Sequence, residues 1–251
     1  MYKVRKSWKA ESTQLGAYRL LANAKKMVKD NPGYRVYDEH GKQVYPPVEI
    51  YASHEGDTVK LGEQHTTVWN QHKRHGDWKG ELDKHGCGIS CAAMAANLKG
   101  PLKHTTPEGL MEQAVKVLGR KKHGQLYAIS TAGIVRVLKH EGVKAARYNV
   151  TAKNVGAVKK KIDKALKAGN PVICWTCARM DGDPFARGHH YVLAVGYTKG
   201  GKVLIANSGG RGPVQIVSLD TLCKYLHRGN TGKDRGWYTN TRDSAGIVIV
   251  G

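Results

Sequence analysis

Long apolar runs are missing from this chain of 251 residues, and with them any stretch able to span a membrane as a helix. Phenylalanine is nearly missing too: there is one, against 12 tyrosines and 5 tryptophans, so the aromatic content is amphipathic. Acidic residues are scarce, with 20 Asp+Glu against 41 Lys+Arg, a net charge of +21 and a pI near 9.8. A field of that sign attracts polyanions and speeds encounter with them. Nucleic acid is one candidate class, an anionic wall polymer or membrane another. No helix-turn-helix, zinc-finger or RNA-recognition signature accompanies the basic clusters at Lys25-Lys26, Arg120-Lys121-Lys122 and Lys159-Lys160-Lys161, which weighs against nucleic acid. The N-terminal MYKVRKSWKA lacks the apolar stretch of a signal peptide, so synthesis in the cytoplasm and exit by another route are expected. Cysteines number 5, an odd count that rules out a complete disulfide framework.

What is present is ordinary for a folded domain: 40% hydrophobic and 24% charged residues, with length enough for a sizeable core plus a small module. Residues 2–8 read as a strand, 11–30 as a helix stopped by Asn31-Pro32-Gly33, and 34–37 and 43–45 as two strands around a turn. The expectation is a β-α-β-β module over residues 1–48, ended by Pro46-Pro47, then a linker over 49–66 with room for one strand. From 67 to 251 a second organisation follows. Helices are expected at 88–98, at 107–118 (Thr106 as N-cap, Pro107 in the first turn), at 131–141 and at 154–168, with Gly142 and Gly169 ending the last two. The period then changes, and 171–177, 191–197 and 203–206 read as strands. Helices first and antiparallel strands after is an α+β layout.

Three residues carry chemistry. Cys87 stands directly before a helix, where unpaired N–H groups and the helix dipole favour thiolate, the form a cysteine nucleophile needs. Gly86 and Gly88 leave room for a peptide to approach. Cys91, four residues on, competes for the role but lies one turn deeper on the same face, so Cys87 is preferred. His189 and His190 open an apolar strand and point to opposite faces, so only one can meet Cys87. Asn207 ends the next strand, where its amide oxygen can accept the Nδ1–H of that histidine and hold its tautomer. Cys174 and Cys177 have poor geometry for joint metal ligation on one strand, and no metal is expected.

Taken together, WNQHKRHGDWKGELDKHGCGISCAAMAANLKG, Thr106-Pro107-Glu108, the GNPVI strand from Gly169 and GHHYVLAVGY from Gly188 resemble bacteriocin-processing-type, papain-like cysteine peptidase domains over roughly residues 67–225. The resemblance implies Cys87 as nucleophile, His190 as base, Asn207 where the family usually has Asp, and Gln71 as an oxyanion donor, with no cofactor. Ile89 stands where the family usually has Pro. YKVRKSW, SxxLGAY and GYRVYDEHGKQVY in the first 48 residues resemble small sporulation-related (SPOR-like) modules of Gram-positive wall hydrolases. Module, charge and absent signal peptide together resemble a phage endolysin, which implies hydrolysis of amide bonds in peptidoglycan, with the cell wall as partner and site of action. The alternatives are a leader-peptide-processing peptidase and a non-enzymatic wall- or nucleic-acid-binding protein on a papain-like fold.

Overall fold

A computed structural model describes residues 1–6, 8, 10–31, 34–39, 43–45, 58–61, 64–69, 79–99, 105–119, 129–176, 184–186, 190–209, 212–226 and 246–251. The sequence of helix α3, Cys87–Lys99, explains much of the architecture. It alternates no polar face with an apolar one; its residues from Cys87 to Leu98 are all buried. A helix apolar all round has to be enclosed. Ala92, Ala93, Ala95 and Ala96 keep it thin enough for neighbours to approach on every side.

The main sheet has six strands in the order β11-β10-β9-β8-β12-β7. These are β7 (Ala145–Asn149), β8 (Val172–Thr176), β9 (His190–Tyr197), β10 (Val203–Ala206), β11 (Val214–Val217) and β12 (Gly246–Val250). All five pairings are antiparallel. The central strands are apolar on both faces, as strands covered on both sides must be. On one face Ile173, Leu193, Val195 and Val248 pack with α3, α4 (Pro107–Leu118) and α5 (Thr131–His140). On the other, Val172, Cys174, Val192 and Ile247 pack with α6 (Val155–Lys167) and α7 (Leu219–Leu226). The expected α+β class is the observed one.

The helix ends are the expected ones. Thr106 Oγ1 accepts from the Gly109 N–H at 3.1 Å, and Pro107 opens α4. Gly142 and Gly169 terminate α5 and α6 with φ of 74° and 71°, the left-handed backbone that favours glycine. Unforeseen elements are α2 (Lys79–His85), β7, β11, α7 and β12.

Two expectations fail. Residues 11–20 are not helical: Glu11–Thr13 is a short 3₁₀ turn and Gly16–Tyr18 is a strand, β2, so the helix α1 covers only Leu21–Asp30. Thr13 causes this locally. Its hydroxyl donates to the Ala10 carbonyl at 2.7 Å and accepts from the Lys6 N–H at 3.1 Å, a turn that competes with helix. The N-terminal unit is therefore ββαββ, with β1 (Tyr2–Arg5), β3 (Arg35–Tyr37) and β4 (Gln43–Tyr45) in sheet order β2-β1-β3-β4 and a small core of Val4, Ala24, Val28 and Val36. The second failure is the linker. Thr58–Leu61 (β5) and Gln64–Thr67 (β6) form a hairpin, and fully buried Leu61 and Thr66 join it to the body around α3. Asn97 on α3 donates to Thr66 Oγ1 at 3.2 Å, fastening that contact.

Candidate active site

Three chain segments meet at one end of the sheet. Strand β10 runs toward Asn207, antiparallel β9 starts beside it at His190, and α3 brings its N-terminus, with Cys87, to the same end. Cys87, His190 and Asn207 are 8%, 6% and 2% exposed, so the cluster is shielded but not sealed.

Close approach of α3 to β9 depends on Gly88. A Cβ there would lie 2.7 Å from Ile129 Cγ2 and 3.1 Å from the Tyr191 ring. At Gly86 a Cβ would lie 2.4 Å from the Leu82 carbonyl oxygen. The two glycines thus serve the protein's own packing.

His190 Nε2 lies 2.6 Å from Asn207 Oδ1, and the Cys87 sulfur is hydrogen-bonded to the same imidazole. Since Nε2 is taken by Asn207, Nδ1 is the nitrogen left for Cys87. The expected ring orientation, with Nδ1–H on the asparagine, is therefore reversed. Strand alternation cannot decide which nitrogen of His190 faces which partner; ring rotation does. Strand pairing fixes the histidine backbone, with Thr176 opposite and its hydroxyl donating to the His190 carbonyl at 3.1 Å.

The Asn207 amide is saturated. Oδ1 accepts from His190 Nε2 and from the Gly209 N–H at 3.1 Å. Nδ2 donates to the Phe185 carbonyl at 2.9 Å and to Gln215 Oε1 at 3.4 Å. Donors surround the oxygen and acceptors the nitrogen, which fixes the amide orientation. A carboxylate at this position would turn an oxygen toward the Phe185 carbonyl.

Burial works to raise the Cys87 thiol, but the hydrogen bond and charge of His190 outweigh it. With the Tyr191 and Gly88 N–H groups they hold it below its ordinary value. Cys91 is the opposite case. Fully buried, it is pushed well above its ordinary value by burial and by the neighbouring Cys87 and Cys174, against a hydrogen bond with the Ser208 hydroxyl. Cys174 is also buried and pushed well up, and Cys223 is raised to about 11, both chiefly by burial. Among the four described cysteines, Cys87 is the one whose thiol is held below its ordinary value. A thiol lowered in this way, beside an imidazole held by an amide, has the arrangement that nucleophilic acyl transfer needs.

Gln71, His189 and Cys177 lie outside the described residues. No group of three metal-ligating side chains occurs among the described residues. Sequence reasoning missed Thr176, Ser208 and Gln215. Only Gln215 left a trace, as the polar residue in the strand VQIV.

The family model described as "Peptidase_C39 like family" matches residues 57–225. No curated protein matches the chain. Among solved structures, the peptidase domain of Streptococcus ComA, a bi-functional ABC transporter involved in a quorum-sensing pathway, is 15% identical. It aligns over 67% of this chain and 93% of that one, with a TM-score of 0.40. A putative C39-like peptidase from Bacillus anthracis is 16% identical over 66% of this chain and 88% of that one, with a TM-score of 0.38.

Proposed function

The chain belongs to the Peptidase_C39 like family and is a cysteine peptidase, and we propose that it cleaves amide bonds of peptidoglycan peptides through Cys87, His190 and Asn207. The observation that carries the site assignment is the linked geometry of a depressed Cys87 thiol, an imidazole and an Asn207 amide at 2.6 Å. In the proposed reaction His190 takes the Cys87 proton. The thiolate attacks the scissile carbonyl carbon, and the oxyanion faces the N–H groups at the start of α3. The tetrahedral species collapses to a thioester as His190 gives its proton to the leaving amine. Water, deprotonated by His190, then releases the acid and restores the thiol. Gln71 is proposed as a second oxyanion donor.

The wall substrate is supported by two features outside the site. One is the net charge of +21, suited to the anionic polymers of Gram-positive walls. The other is the separate N-terminal unit with its own core, proposed as a SPOR-like wall-binding module of an endolysin-like enzyme that acts outside the cytoplasm.

Turbidity of purified Gram-positive walls tests the reading. It should fall with the parent protein, and retention on walls should drop steeply between low salt and about 0.15 M, where exposed charges are screened beyond roughly 8 Å. Walls left intact, beside efficient cleavage of a leader from a precursor peptide, would replace the wall reading with leader processing. Retention by DNA in preference to walls would overturn the wall partner.

A further inference from the structure

Gln215 lies on β11, opposite Ile205 and outside the three residues just assigned. Its amide has two partners that matter to them. Oε1 accepts from Asn207 Nδ2 at 3.4 Å, and Nε2 donates to the Pro184 carbonyl. The neighbouring Phe185 carbonyl accepts from the same Asn207 Nδ2 at 2.9 Å. Gln215, Asn207 and the backbone of residues 184–185 thus close a small ring of hydrogen bonds, to which His190 is attached through Asn207 Oδ1.

Phe185 anchors that backbone. It is fully buried and meets the Tyr225 ring edge-on at a centroid distance of 6.0 Å, so its carbonyl is held in place by the packing under α7. The Pro184 carbonyl has the Gln215 amide as its fastener. Without that amide, residues 184–185 would lose the hydrogen bond on Pro184, and the acceptor that fixes Asn207 would gain freedom.

From this geometry we infer that Gln215 is a positioning residue for Asn207: it locks the asparagine amide so that Oδ1, not Nδ2, meets the histidine. A flipped amide would set an N–H against the His190 Nε2–H and against the Gly209 N–H, and an oxygen against the Phe185 carbonyl. The histidine could then no longer be held as the protonated partner of a Cys87 thiolate. The inference rests on the Cys87–His190–Asn207 assignment, yet its test needs no substrate.

The test is the pH dependence of Cys87 alkylation by iodoacetamide in the folded protein, followed by peptide mapping. The variants are Gln215→Met, which keeps length and volume, Gln215→Leu, Asn207→Ala and the double variant Asn207→Ala/Gln215→Met. Gln215→Met should move the onset of alkylation upward by about one pH unit, a roughly tenfold slower reaction on the acid side. Asn207→Ala should move it at least as far, and adding Gln215→Met to Asn207→Ala should move it no further. Should Gln215→Leu fail to fold, Gln215→Met carries the same expectation. An unshifted Gln215→Met beside a shifted Asn207→Ala would overturn the role of Gln215 alone. An unshifted Asn207→Ala would overturn both it and the site assignment.

Discussion

The residues of the site differ from their neighbours by environment more than by type. Cys87 and Cys91 lie one helical turn apart, yet the first is held low by His190 against its burial, and the second is pushed well up by burial. Iodoacetamide at neutral pH should therefore label Cys87 first and leave Cys91 unlabelled until the protein unfolds, as peptide mapping will show. Cys87→Ala should abolish hydrolysis, whereas Cys91→Ala should cost only stability, on the order of 1 kcal/mol. Asn207 supplies a sharper case. Its Nδ2 donates to the Phe185 carbonyl and to Gln215, so Asn207→Asp should lower stability by about 1–3 kcal/mol in urea denaturation. An unchanged midpoint would mean that the amide nitrogen is not held as described. That Cys87, His190 and Asn207 would come together was legible in the sequence, because each sits at an element boundary marked by glycine or an apolar run. The ring nitrogen facing each partner was not legible, since it depends on side-chain rotation. Neither was Gln215, which acts through an amide whose partners come from distant segments.

Elements were legible where local chemistry and packing agree. Helices α4 and α5 have side-chain N-caps, and α4, α5 and α6 have glycine stops, written into the chain, while β8, β9 and β10 are short apolar runs between breakers. The reading failed at residues 11–20, where helical spacing of Leu15 and Tyr18 competed with the Thr13 turn and lost. It missed β12, whose place between β8 and β7 comes from pairing partners about 70 and 100 residues earlier. At this scale the contact of α3 with β9 is the sensitive joint. Gly88→Ala should strain it through Ile129 and Tyr191, costing about 1–3 kcal/mol and lowering kcat more than it raises KM, as the helix end carrying Cys87 is pushed from His190. A variant with parent-like melting temperature and kcat would show that the joint has slack.

Across the molecule, buried thiols make stability depend on alkaline pH. Cys223 is raised from 9.0 to about 11 by burial, so above pH 9 the unfolded chain loses that proton while the folded protein keeps it. Its contribution to stability is full below pH 9 and declines as pH rises toward about 11. Cys91 and Cys174 act in the same direction. Lys99, which burial lowers from 10.5 to about 8, works oppositely over that interval. The balance is separated by comparing the parent with Cys223→Ala: urea midpoints at pH 8.5 and 10.5 should fall further in the parent. Equal falls would remove Cys223 from the account.

The central claim is that Cys87 attacks amide bonds in wall peptides. Mass spectrometry of fragments released from purified Gram-positive peptidoglycan, by the parent and by Cys87→Ala, tests it most directly. The account predicts peptide fragments with newly freed amine and carboxyl ends from the parent, and none from Cys87→Ala. Equal release by both proteins, or no release by either, would contradict it.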